Sequence, residues 1–161
     1  MIELRNASKS FGKVSAVRDV SFRMKEENVF GLVGTNGAGK STVLRMAAGV
    51  LKPDEGLVLV DGMNAYDSVD AKKRCFFISD EPYFFAHATP RDMEKYYSSV
   101  YERFNREAYY MYLASFGLDS RRKIESFSKG MKKQLALICG ISSQTKYLLC
   151  DETFDGLDPV M

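Results

Sequence analysis

The sequence is poor in the residue types that hold metals. Its single histidine, His87, excludes a histidine-rich metal site, and it falls in a segment that reads as surface. The three cysteines, Cys75, Cys139 and Cys150, lie far apart inside apolar runs, with neither zinc-ligand nor disulfide spacing. That usage predicts buried free thiols in a reducing compartment. No apolar run approaches the ~18 residues that a spanning helix needs; the longest, Leu135 to Ile141, is short and holds Gly140. The start, Met1-Ile2-Glu3-Leu4-Arg5, lacks the basic and apolar segments of a secretory signal. An excess charge of one sign is lacking too: 23 Lys and Arg balance 21 Asp and Glu, for a formal +2, so no case arises for nucleic acid as a partner. Together these absences lead us to expect a cytoplasmic protein that meets a membrane only through another protein.

What is present is an ordinary globular composition, 45% hydrophobic and 27% charged over 161 residues, enough for one domain with a core but not for two. Ile2-Glu3-Leu4 and Val17 to Met24 alternate as strands do, with Gly12 marking the turn between them. Val29-Phe30-Gly31-Leu32-Val33 is a continuous apolar run, the pattern of a buried parallel strand. Ser41 to Ala48 reads as a helix ended by Gly49, and Leu57 to Val60 as a strand closed by the turn Asp61-Gly62. Cys75 to Ile78 is a further strand. Pro90 opens a helical stretch, Arg91 to Phe104 and Arg106 to Phe116, and Ser128 to Ile141 is a longer helix with apolar Met131, Leu135, Ile138 and Ile141. Tyr147-Leu148-Leu149-Cys150 is a last strand, ending in Asp151-Glu152.

Between the run ending at Val33 and the helix from Ser41 stands Gly34-Thr35-Asn36-Gly37-Ala38-Gly39-Lys40-Ser41, which fits G-x-x-x-x-G-K-[ST]. Glycines let backbone N–H groups turn inward around phosphate oxygens, and the following helix adds its positive end. In such a loop Lys40 reaches the outer phosphates of a nucleoside triphosphate and Ser41 ligates Mg²⁺. A phosphate loop also needs an acid for the metal and a residue that activates water. Asp151 and Glu152 supply both at one strand end: neighbours on a strand point oppositely, so Asp151 serves the metal and Glu152 the water.

These residues resemble an ABC ATPase domain, with the two sites as its Walker A and Walker B motifs. Phe127-Ser128-Lys129-Gly130-Met131 resembles the family's LSGGQ signature, in the variant common among bacterial drug and peptide exporters. Gly156-Leu157-Asp158 is similar to the D-loop, and Lys9-Ser10-Phe11-Gly12-Lys13 to the A-loop, whose aromatic stacks on adenine. The resemblance covers the whole chain, with the motifs in the right order. It implies an α/β P-loop NTPase fold: a RecA-like ABC ATPase core over 1–81 and 127–161 with an N-terminal antiparallel β region, and a helical subdomain over 82–126. It implies ATP and Mg²⁺ as cofactors, with Phe11, the loop from Gly34 to Ser41, Thr42, Ser128 to Met131 and Asp158 around the nucleotide. The partners it implies are a second ATP-binding subunit in a head-to-tail dimer and a membrane-spanning permease, with transport, by export, as the work. Tyr83-Phe84-Phe85 is the candidate dock for that permease, with core packing as the other reading. Ser128 stands where it can cap the following helix.

Four departures from the family pattern stand out. Asp80 occupies the place of the Q-loop glutamine; it can still ligate Mg²⁺, and it counts with Lys40 and Glu152 as a catalytic candidate, but it adds negative charge near phosphates. Lys129 and Met131 replace the signature's first glycine and its glutamine. Thr153 replaces a proline after Walker B. The chain ends at Met161, ahead of the family's H-loop histidine, so we expect a fragment of a longer product, incomplete at the C-terminus, with strand edges left unpaired and weak turnover. A non-transport ABC ATPase is the alternative, disfavoured by the single domain and balanced charge. A P-loop GTPase is disfavoured by the missing N-K-x-D tetrad.

Overall fold

The computed structural model describes residues 1–152, which fall into two compact units divided between Cys75 and Phe76.

In the first unit, β1 (Ile2–Phe11) and β2 (Val14–Met24) form a hairpin, longer than the alternating cores alone indicate. β3 (Glu55–Val60) pairs with the other edge of β1, and the two-residue β4 (Met63–Asn64) pairs with β3, giving an antiparallel sheet in the order β2-β1-β3-β4. Ile2, Leu4, Val58 and Val60 are buried on this sheet, and Met46 and Ala47 of α1 (Lys40–Ala47) join them in the unit's core. A short helix, α2 (Val69–Lys73), capped by Ser68, closes the unit.

Glu3 lies between Ile2 and Leu4 and is nevertheless buried. Arg5 donates to its Oε2 at 2.7 Å and Arg23 to its Oε1 at 2.5 Å. These two guanidiniums hold the Glu3 carboxyl down at about 2. A depressed folded-state pKa contributes stability above the unfolded value, and that contribution fades as pH falls from about 4.5 towards 2. Glu3→Gln is therefore expected to cost stability at pH 6 and much less at pH 2.5, read from urea midpoints of the two proteins at both values.

One expected strand is absent. Val29 to Val33 forms no strand, and Val29 and Val33 are fully exposed. An apolar run becomes a buried strand only where neighbouring strands supply ladder bonds, and among the described residues neither sheet pairs with this one. Phe30 instead stacks on Phe22 of β2, with centroids 5.4 Å apart.

In the second unit β5 (Cys75–Ile78) and β6 (Tyr147–Cys150) form a two-stranded sheet, and α3 (Pro90–Val100), α4 (Arg106–Ser115) and α5 (Lys129–Ser142) pack around a core of Phe76, Ile78, Met93, Tyr109, Leu113, Leu135 and Ile138. A Thr89–Asp92 capping box with Pro90 starts α3, and Asn105 caps α4. The first helix ends at Val100, short of Phe104. Tyr101 leaves it in an extended conformation, so its ring meets Phe76 at 5.5 Å, and Phe104 reaches Tyr109 at 5.5 Å. The apolar stripe of α5 is also turned from the expected one: Leu135 and Ile138 are buried, with Ala136 and Cys139, but Ile141 is exposed. Gly140 lies on the side turned towards the strands. A Cβ there would stand 2.7 Å from Leu148 Cδ1 and 3.1 Å from Ile78 Cδ1, so the missing side chain lets the helix pack tightly on both strands. Cys75 and Cys139 are buried free thiols pushed up to about 12 by burial, while Cys150 is partly exposed. His87 is a surface residue beside Glu125, at 3.2 Å.

Candidate functional site

The glycine loop leads straight into α1. Gly37 and Gly39 have φ values of 84° and 85°, in the left-handed region where a side chain is strained. The Ala38 N–H donates to the Thr35 carbonyl at 3.1 Å, curling the loop, and Gly39 caps α1 with no side chain over the helix end. The first-turn backbone therefore faces outward with its positive dipole end. Lys40 Nζ folds over the same loop, donating to the carbonyls of Gly34 at 2.9 Å and Thr35 at 3.0 Å. A concave run of glycines with an ammonium across its mouth suits a polyphosphate, and the Ser41 hydroxyl on the first turn is a hard oxygen donor of the kind Mg²⁺ takes. Thr42, next along, is buried.

Gly39 also determines where the hairpin lies. A Cβ at this position would stand 2.3 Å from the carbonyl oxygen of Ala16, a backbone atom, and 3.1 Å from Val17 Cγ2. The β1–β2 hairpin thus abuts the loop, and the same hairpin carries Phe11 at the end of β1, 49% exposed and not packed in the core. Gly39→Ala is expected to cost about 1–3 kcal/mol, since it adds backbone strain to a clash with backbone. Thermal melting would show the loss, and a variant that melts with the wild type would contradict this packing.

The other candidates lie in the second unit. Ser128 caps α5, its Oγ accepting from the Met131 N–H at 3.2 Å, which leaves the hydroxyl proton to donate outward. Lys129, Gly130 and Met131 form the first turn behind it. The approach to this cap is braced: Arg122 donates to the Ser126 hydroxyl and carbonyl at 2.9 and 2.8 Å, and its guanidinium lies 5.5 Å from the Phe127 ring centroid.

Asp151 follows β6 and is 3% exposed; its N–H donates to the Ile78 carbonyl at 2.9 Å, which continues the pairing with β5. Glu152 comes next, exposed, with φ 49°. The two acids thus differ in environment, Asp151 buried and Glu152 exposed past a left-handed bend. Asp80, just past the end of β5, accepts from Lys133 Nζ at 2.8 Å. Lys133, with a contribution from Lys129, holds the Asp80 carboxyl below the usual carboxylate range, so it stays ionised with its charge met. Lys133 also donates to the Glu152 carbonyl at 2.9 Å. The sequence gives no local sign of Lys133's role: beside Lys129 and Lys132 it reads as one more solvated lysine on the first half of α5. Thr153 and Asp158 lie outside the described residues. No helix among the described residues is long and apolar enough to cross a membrane.

The family model for ABC transporters matches residues 17–155. The ABC transporter ATP-binding protein YtrB of Bacillus subtilis is 29% identical over 99% of this chain and 55% of its own length. The "Probable multidrug ABC transporter ATP-binding protein YbhF" of Escherichia coli is 32% identical over 99% of this chain and 29% of its own. This chain therefore spans about half or less of these two relatives. Among solved structures, the ATP-binding subunit of an ABC transporter superposes with a TM-score of 0.88 at 25% identity, over 99% of this chain and 69% of that one. With a glycine loop before α1, a capped signature helix and paired acids after β6 all inside the matched span, the chain belongs to the ABC transporter ATP-binding family.

Proposed function

We propose that this chain binds and hydrolyses ATP as the motor part of an ABC transporter, working as a head-to-tail dimer with a second ATP-binding subunit and driving export through a separate membrane-spanning permease. It would act on the cytoplasmic face of the membrane, held there by that permease. The observation that carries the reading is the loop itself: two left-handed glycines, an uncapped helix start and the Lys40 ammonium over its mouth.

The chain's own residues divide the work as follows. Lys40 and the loop N–H groups hold the triphosphate, and Phe11 offers an exposed ring for the adenine face. Ser128 and the first turn of α5 present a hydroxyl and a positive helix end to the γ-phosphate held by the partner's loop. Ser41 in the first unit and Asp151 and Asp80 in the second are each oxygen donors of the kind that would hold Mg²⁺, which would neutralise charge on the phosphates. Glu152, exposed and ionisable at the end of β6, orients a water and takes its proton. The aromatic run divides between its two readings. Phe84 packs on the core, while Tyr83 and Phe85 stand exposed in an edge-to-face ladder that continues to Tyr96. Those exposed edges favour this patch as the permease dock. The exporter-like Ser128-Lys129-Gly130-Met131 supports the direction of transport.

Purified protein supplied with Mg²⁺ and ATP is expected to release phosphate, and GTP is expected to compete poorly against labelled ATP. No ATP binding up to about 1 mM, the upper end of ordinary KM values, or equal competition by GTP would refute the reading.

A further inference from the structure

Lysine is almost never fully buried unless its charge is met. Lys133 is 2% exposed, in the middle of α5. Its ammonium has three donors, and two of them go to groups from separate strand ends: Asp80 Oδ1, beyond β5, and the Glu152 carbonyl, beyond β6. Glu152 has a left-handed backbone, φ 49°, a conformation that a residue with a side chain keeps only where its surroundings over-determine it. The constraint is visible on both sides. The Asp151 N–H is pinned to the Ile78 carbonyl before the bend, and the Glu152 carbonyl is gripped by Lys133 after it. The direction in which the Glu152 side chain leaves β6 follows from that bend.

We infer that Lys133 is a positioning residue for hydrolysis: its buried ammonium ties the Glu152 carbonyl to the Asp80 carboxylate and so fixes where the Glu152 carboxylate points. The inference rests on the reading of Glu152 as the water-activating residue. It also explains how an aspartate is accommodated where the family has a glutamine. The added charge is met inside the unit by Lys133, whose second bond turns the pair into a brace between two loops.

Lys133→Met tests this. The variant is expected to fold, because methionine is a similar length of apolar chain and Asp80, 42% exposed, can be solvated once its partner is gone. Amide hydrogen exchange should be at least tenfold faster at Asp151, and kcat for ATP should fall at least tenfold with KM within twofold. In the double variant Lys133→Met with Asp80→Asn the faster Asp151 exchange should persist, since the Glu152 carbonyl still lacks its donor; that exchange is the readout there, because Asp80 is itself a Mg²⁺ candidate. Unchanged Asp151 protection in folded Lys133→Met would overturn the inference. So would Asp151 exchange restored in the double variant, which would make the single variant's defect one of unmet Asp80 charge. A wild type that exchanges as expected but hydrolyses no ATP would sink the assignment of Glu152 to water activation, and with it any role of Lys133 in hydrolysis. The exchange arm would still report on the brace itself. The two failures are thus separable.

Discussion

Glu152→Gln is expected to lower ATP turnover by about 10²–10⁴-fold, the usual span for loss of a general base, while ATP affinity stays within a few-fold. The argument begins with where Glu152 stands. It follows the buried Asp151 and stands exposed at a left-handed bend just past β6. Its side chain is exposed, and its backbone is held by the carbonyl bond to Lys133 at 2.9 Å, which glutamine leaves untouched. The substitution therefore keeps shape, backbone and stability and removes only the ability to take a proton from water. Thermal melting should match the wild type, nucleotide binding should persist, and phosphate release should nearly stop. Turnover within tenfold of the wild type, with melting unchanged, would remove Glu152 from the chemistry and leave the second unit without a base.

The local elements were legible wherever chemistry is local. The glycine loop, the helix that follows it, the Ser128 cap and the Asp151-Glu152 strand end all depend on residues within a few positions of one another, and each stands where its spacing placed it. What escaped depends on partners far along the chain. Val29 to Val33 has the composition of a buried strand, but strand formation needs ladder partners that composition does not specify, and the run lies open with Phe30 on Phe22. Phe104 read as part of a helix, but the helix ends at Val100, because Tyr101 turns to pack on Phe76 of the distant strand β5 and Phe104 then packs on Tyr109. Lys133 was hidden for the same reason: its partners are 53 and 19 positions away, and nothing adjacent announces a buried ammonium. Asp80, read alone, was an added negative charge; with Lys133 it is half of a neutral pair.

Lys40→Ala is expected to weaken ATP binding by about 10- to 100-fold and to carry turnover down with it. Lys40 Nζ already lies over the loop, on the Gly34 and Thr35 carbonyls. A charge-assisted hydrogen bond from an ammonium contributes roughly 1.5–3 kcal/mol, and each 1.4 kcal/mol is about tenfold in affinity. Alanine removes those donors and the positive charge, yet it suits the first position of α1 at least as well as lysine does. The Gly37 and Gly39 backbone needs no side chain from residue 40 to hold its left-handed turn. Stability should therefore change little, which separates a binding defect from a folding one. The comparison with Gly39→Ala sharpens this: that variant damages the fold at the Ala16 contact, whereas Lys40→Ala leaves the fold and removes the grip. Titration with a fluorescent ATP analogue, alongside melting curves for both variants, gives the answer. If Lys40→Ala binds the analogue as tightly as the wild type, the loop is not a triphosphate site, and the functional reading built on it fails with it.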